Sequence, residues 1–311
     1  MNMNEAWKKK HNAEIKPGIN LIGKWHKNSY LIKKKLGEGA IGSVYLCEVN
    51  GKEKALKISD NRTSMTVEVN VLKSIGKVQG NRLGPSLLDV DDWVSPFGTT
   101  YTFYVMEYLQ GESLSSYIQR NGSQWLGVFM LQLLDDLERL HASGWVFGDL
   151  KTENLLVLHA PPRVRWIDVG GTTQIGRAIK EYTEFYDRGY WKMGSRKAEP
   201  SYDLFAFVMI FLNIYYPKRF DKGLEPEKTL LKKLHDVKPL RPYSVPFKKA
   251  LLGKYDASAE MKKDLMIIFN QAQKHSGRRK NRRKESLLHF FLEASGITLI
   301  ALCYYLFSLL L

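Results

Sequence analysis

From Tyr30 to Ser59 apolar and charged residues interleave, YLIKKKLGEGAIGSVYLCEVNGKEKALKIS, in a strand-like texture. Asn50-Gly51 separates two β-rich runs, Val44–Val49 and Glu53–Ile58, and predicts a hairpin closed by a type I′ turn. Around Met65–Ile75, Val67, Val71, Leu72 and Ile75 recur at helical spacing and predict a short helix. A second strand pair follows, with SPFGTT as its turn and YTFYVMEYL as its last strand. The texture changes near Gly111. Leu126, Met130, Leu133, Leu137 and Leu140 mark a helix over Leu126–His141, closed by Gly144. Strand-like pieces come next, at Leu155–Leu158 and Val164–Ile167. Tyr202–Tyr216 is apolar almost all round and too short to span a bilayer, so it predicts a fully buried helix. Further helices are expected at Lys228–Leu234 and Ala257–Gln273.

A β-rich first part and a helical second part predict an α+β chain of two lobes, with a ligand cleft between them. With 44% apolar and 25% charged residues the chain reads as globular rather than disordered. Its two cysteines, Cys47 and Cys303, suggest neither a metal site nor a disulfide, and a reducing compartment fits best.

The two ends differ. The first residues have no apolar core, so no cleaved signal peptide is expected. Ala294–Leu311 carries no charge, and as a helix its eighteen residues rise roughly 27 Å, close to the hydrocarbon thickness of a bilayer. A buried C-terminal helix is the plainer reading; the bases just before it favour a transmembrane helix. Those bases are Lys274, Arg278, Arg279, Lys280, Arg282, Arg283 and Lys284, seven in eleven positions. By the positive-inside rule they stay cytoplasmic, which places the chain in the cell membrane, single-pass, with its body in the cytoplasm. The formal charge of +15 is concentrated: Pro217–Lys284 holds 20 Lys and Arg against 7 Asp and Glu. Such a field attracts polyanions, and acidic lipid and nucleic acid fit it equally.

Candidate chemistry lies in both lobes. Gly37, Gly39 and Gly42 fall at G-x-G-x-x-G. That spacing also fits a dinucleotide fold, but here it lies between two strands, where glycines let backbone amides approach phosphates. Lys57 follows in an apolar strand, and Glu68 on the short helix is placed to pair with it; a solvated lysine and a surface pair are the bland readings. In VFGDLKTENLL, Asp149 is a candidate proton acceptor, Lys151 a neutraliser of a transferring phosphoryl group, and Asn154 an oxygen ligand for Mg²⁺. Asp168, after an apolar strand and before Gly170, is a second candidate metal ligand.

Taken in order, the Gly loop, Ala-Leu-Lys, helix Glu, D-L-K-x-E-N and D-x-G resemble the protein kinase family over about Tyr30–Gln273. The resemblance implies a two-lobed kinase-like fold using ATP and Mg²⁺. Its N-lobe would span 30–110 and its C-lobe 111–273, flanked by an arm at 1–29, a basic juxtamembrane segment at 274–293 and a transmembrane helix at 294–311. It places Lys57 on the α- and β-phosphates, Glu68 on Lys57, Asp149 as base, and Asn154 and Asp168 on Mg²⁺. Val44, Ala55 and Leu156 would sandwich adenine, Met106 would guard the pocket, and Glu107 to Leu109 would form the hinge. Asp203 resembles the buried aspartate that supports the catalytic loop.

Four departures stand out. Phe147-Gly148 replaces the family's His-Arg, so the grip on a phosphorylated activation loop is missing. D-V-G replaces D-F-G. Gly189-Tyr190-Trp191 stands for Ala-Pro-Glu, without the usual Glu–Arg pair. Glu68 follows Lys57 by only eleven residues, so the helix should be short and its placement dependent on a partner.

The layout, with GKWHKNSYLIKKKLGEGA, EVNVLKSIGKVQ and LGPSLLDVDDW, resembles the YabT-type membrane-anchored serine/threonine kinases of spore-forming bacilli. This implies activation by double-stranded DNA, a role in sporulation and protein substrates. Self-association would allow autophosphorylation in trans at Thr172, Thr173 or Thr183. Two alternatives are a small-molecule phosphotransferase of the aminoglycoside-kinase type and a pseudokinase scaffold tethering nucleic acid to the membrane.

Overall fold

The computed structural model describes residues 14–39, 41–77 and 83–271. The expected transmembrane helix and the basic residues Lys274 to Lys284 lie outside them. Among the described residues no helix is long and apolar enough to cross a membrane.

Six strands form the N-terminal sheet: β1 (Asn20–Ile22), β2 (Ser29–Glu38), β3 (Ser43–Val49), β4 (Lys52–Ser59), β5 (Leu87–Val94) and β6 (Thr100–Glu107), in the order β1-β2-β3-β4-β6-β5. Asn50 and Gly51 both have positive φ, 50° and 73°, as the expected turn requires. Part of the expected N-terminal arm belongs to this lobe. β1 pairs with β2, and Ile15 is buried among Tyr30, Ile32, Tyr45 and Phe103. The Lys24 amide then donates to the Asp92 carbonyl at 2.7 Å, linking the outer strands of the sheet.

Strand alternation gives the sheet two functional faces. Tyr45, Cys47, Leu56, Ile58, Phe103 and Val105 fill the core on one side. Ala55, Lys57, Tyr104 and Met106 share the other, where helix α1 (Arg62–Ile75) packs. This helix is fourteen residues long rather than short. It starts at Arg62 because Asn61 caps it, accepting from the Ser64 amide at 3.1 Å. Its buried face holds Met65, Glu68, Val71, Leu72 and Ile75, while Val67 points to solvent.

The chain leaves this sheet after Glu107 and joins a three-stranded one, β7 (Glu112–Ser113), β9 (Leu155–His159) and β10 (Pro162–Trp166), in the order β10-β9-β7. Helices α2 (Leu114–Asn121) and α3 (Trp125–Ala142) follow β7. The short β8 (Trp145–Val146) pairs with β11 (Thr173–Gln174). Helix α4 (Pro200–Tyr215), with proline in its first turn, is buried from Tyr202 to Ile214, as its all-round apolar sequence predicts. α5 (Pro226–Asp236), α6 (Ser244–Leu251) and a helix from residue 258 complete the lobe. The chain divides into two compact units, 1–262 and 263–311; the second is described only over 263–271, which is helical.

Candidate active site

The glycine loop is the turn between β2 and β3. Gly39 donates to the Gly42 carbonyl at 2.9 Å. Gly42 is required by packing, because a β-carbon there would strike the Ile58 carbonyl oxygen. At Gly37 a β-carbon would meet nothing within 4 Å, so that backbone edge stays open to a ligand. Behind the loop, β3 sets Val44 opposite Lys57, and β6 sets Tyr104 opposite Lys57 and Met106 opposite Ala55. Ala55 and Met106 are buried, while Val44, Leu109 and Leu156 are half-buried. Apolar walls with partly open residues suit a planar base.

Lys57 and Glu68 form a buried ion pair, with Nζ 2.9 Å from Oε1 and 2.8 Å from Oε2. The pair exists without a partner chain, despite the short spacing. Burial opposes the charge on Lys57, but Asp168, 3.6 Å away, and Glu68 hold the ammonium protonated. Burial would raise the Asp168 carboxyl; Lys57 and the Gly170 amide, which donates at 2.9 Å, bring it below its ordinary value. Asp168 is therefore ionised, and its side chain is 45% exposed.

The catalytic loop hangs from Asp203 on α4. This carboxylate accepts from the Phe147 amide at 2.7 Å and the Gly148 amide at 3.0 Å, with His141 Nε2 at 2.9 Å. Phe147 packs edge-on against Trp166 at 4.8 Å, the apolar contact expected of it. Gly148 has φ +80°, and a side chain there would collide with Gly171. The space that an arginine would need is thus taken by backbone.

Lys151 Nζ bonds to Asp149 Oδ2, and Thr183 donates to Asp149 Oδ1 at 3.0 Å and accepts from Lys151 at 3.3 Å. Asn154 Nδ2 donates to the Asp149 carbonyl at 3.0 Å, which leaves its Oδ1 as the available oxygen. The Ile167 amide donates to the Asn154 carbonyl at 3.0 Å, which brings Asp168 beside it. An amide oxygen and a half-open carboxylate form an oxygen donor set that fits Mg²⁺, which would neutralise phosphate charge when bound. Among the described residues there is no cluster of three His, Cys, Asp or Glu able to hold a metal ion.

The expected hinge begins at Glu107, whose side chain is already engaged. The Glu107 carboxylate is taken up by Ser86, at 3.2 Å from its amide and 3.1 Å from its hydroxyl, and by Arg165 at 3.4 Å. Thr172, one candidate acceptor, is buried, and Thr173 bonds to the Gly171 carbonyl at 3.0 Å. Trp191 is buried, its indole donating to the Phe185 carbonyl at 2.8 Å, with Phe185 and Phe220 against its ring. Asp187 and Arg188 pin this segment through Arg196 and Glu199, at 2.7 and 2.6 Å. A surface cavity of about 580 Å³, lined by Tyr30, Lys52, Lys54 and Asp89, lies on the opposite face of the sheet and contains none of these site residues.

Sequence reading missed Tyr104, His141, Arg165 and Asp187. Tyr104 alone had a signal, since it shares the parity of Met106 on β6. The others meet their partners only through the fold.

The model of the protein kinase domain matches residues 30–275. The chain belongs to the protein kinase family. It is 49% identical over 261 residues to the serine/threonine-protein kinase YabT of Bacillus subtilis, covering 84% of this chain and 77% of the relative. It is 31% identical over 170 residues to the serine/threonine-protein kinase ppk25 of Schizosaccharomyces pombe, covering 52% and 39%. To protein kinase PINOID 2 of Arabidopsis thaliana it is 32% identical over 146 residues, covering 41% and 26%. The kinase is thus a bacterial-type serine/threonine protein kinase similar to YabT, not a small-molecule phosphotransferase. Its family uses ATP, typically with Mg²⁺.

Proposed function

We propose that this kinase is anchored in the cell membrane by 294–311, faces the cytoplasm, and phosphorylates protein serine or threonine under stimulation by DNA, in sporulation. Lys57 and the glycine loop hold the phosphates of ATP, Asn154 and Asp168 hold Mg²⁺, Asp149 accepts or orients the attacking hydroxyl, and Lys151 neutralises the transferring group. The observation that carries the regulatory part is the charge excess of Pro217–Lys284, 20 bases against 7 acids. Within it Lys218, Lys232, Lys238, Arg241, Lys248 and Lys254 are exposed. Aromatic residues are sparse there, so the contact is with the phosphate backbone rather than with bases. DNA would gather kinase copies and promote phosphorylation in trans, which suits a catalytic loop without the arginine that reads a phosphorylated segment.

The test is phosphate transfer by the full chain in nanodiscs, with and without double-stranded DNA, over a salt series. The reading expects stimulation that falls steeply with salt and disappears when Arg278, Arg279, Lys280, Arg282 and Arg283 become glutamine. Unchanged activity with DNA at low salt, alongside stimulation by acidic vesicles, would overturn the DNA reading in favour of a lipid anchor.

A further inference from the structure

Glu68 has two partners, and only one is the expected lysine. Tyr104 Oη donates to Glu68 Oε2 at 2.7 Å. Tyr104 and Glu68 are both about 1% exposed. Tyr104 sits directly opposite Lys57 across the β4–β6 ladder, so two neighbouring strands aim one donor each at the same carboxylate. Burial and the Glu68 charge keep the phenol protonated, and it remains a donor at any working pH.

The lysine is overcommitted. It has three N–H donors, and it faces Glu68 and Asp168 before any phosphate arrives. When phosphate oxygens draw on that ammonium, Glu68 needs another reason to stay inside. A buried carboxylate that loses a donor is costly, so the phenol keeps the inward position favourable. The start of α1 is tied down as well: the Asn61 amide donates to Ser59 Oγ at 3.0 Å, and Ser59 bonds to the Ile41 carbonyl. The eleven residues between Lys57 and Glu68 leave little slack for the helix to swing.

We infer that Tyr104 is a positioning residue that locks α1 in its ion-paired place and presents Lys57 to ATP, so that helix displacement is not this kinase's switch. The inference depends on kinase activity alone and is independent of the membrane and DNA readings.

Tyr104→Phe keeps the ring and removes the hydroxyl. In the full chain, kcat/KM for ATP should fall about tenfold or more, the scale of one hydrogen bond to a charged group. In a Glu68→Ala background the same change should alter kcat/KM less than twofold, since the phenol's target is gone. A Tyr104→Phe enzyme with unchanged kcat/KM, or an equal loss in both backgrounds, would overturn the inference. Hydrogen exchange on the wild type is a separate check that needs no variant. Residues 64–75 should show the same protection with and without a non-hydrolysable ATP analogue and Mg²⁺. A large gain of protection on binding would mean that the helix is free until ATP arrives, and the inference would fail.

Discussion

Gly148 and Gly171 meet backbone to backbone. A β-carbon on Gly148 would run into the Gly171 carbonyl oxygen, and one on Gly171 would lie 2.6 Å from the Asp149 β-carbon. The catalytic loop and the segment after Asp168 pack against each other here, with no room for the arginine expected at position 148. Restoring that arginine should therefore harm the enzyme. Gly148→Arg and Gly148→Ala should each lose most phosphate transfer. A left-handed backbone alone costs a non-glycine residue about 1–2 kcal/mol, and the collision adds to it. Thermal melting and initial rates check this; a Gly148→Arg enzyme as active as wild type would contradict it.

The Lys57–Glu68 pair stabilises the lobe only while both members are present. Lys57→Met should cost about 3–5 kcal/mol in urea unfolding, because it strands a buried carboxylate. Adding Glu68→Leu and Tyr104→Phe, which removes the stranded carboxylate and its remaining donor, should recover most of that stability and none of the activity. Recovery of activity would remove Lys57 from the chemistry.

Asp187 organises the segment around Gly189-Tyr190-Trp191. Its carboxylate accepts from the Gly189 and Tyr190 amides at 3.0 and 2.9 Å, from Tyr202 at 3.0 Å and from Arg196. This holds the segment without a phosphate. Asp187→Ala should cost about 1–3 kcal/mol by stranding the Tyr202 hydroxyl. It should raise KM for a protein substrate several-fold and leave KM for ATP unchanged, as steady-state kinetics with each substrate varied would reveal.

One buried acid makes stability depend on pH. Burial pushes the Asp136 carboxyl up to about 6 from an ordinary 3.8, against the pull of Arg163 and Arg139. A raised carboxyl contributes stability that is present below its unfolded value and lost as pH rises through the folded one. Asp136→Asn removes this titration. Between pH 4.5 and 7.5 the stability of the variant relative to wild type should rise by about 2 kcal/mol. A difference that stays constant with pH would show that Asp136 does not titrate there.

Much of this was legible in the sequence because it is local. Asn50-Gly51 forms its turn with two adjacent positive φ values, and the all-round apolar run of α4 leaves it buried whatever surrounds it. The motif residues Lys57, Asp149, Asn154 and Asp168 converge because their order implies a fold already known. What stayed hidden is either non-local or geometric. His141 meets Asp203 across 62 positions, and its neighbours give no hint of it. Gly148 reads as a lost arginine until its φ and the approach of Gly171 are seen. Val67 has helical spacing yet faces solvent, because Glu68, held by Lys57 and Tyr104, sets the rotation of α1.

The most direct test of the account is transfer of labelled phosphate from Mg-ATP to protein by the full chain, with Asp149→Asn beside it. Label on serine or threonine that the substitution reduces at least a hundredfold, with both proteins equally folded, is the predicted result. Equal labelling by the two proteins, or none by folded wild type that binds ATP, would contradict the assignment of Asp149 and the active state of the site.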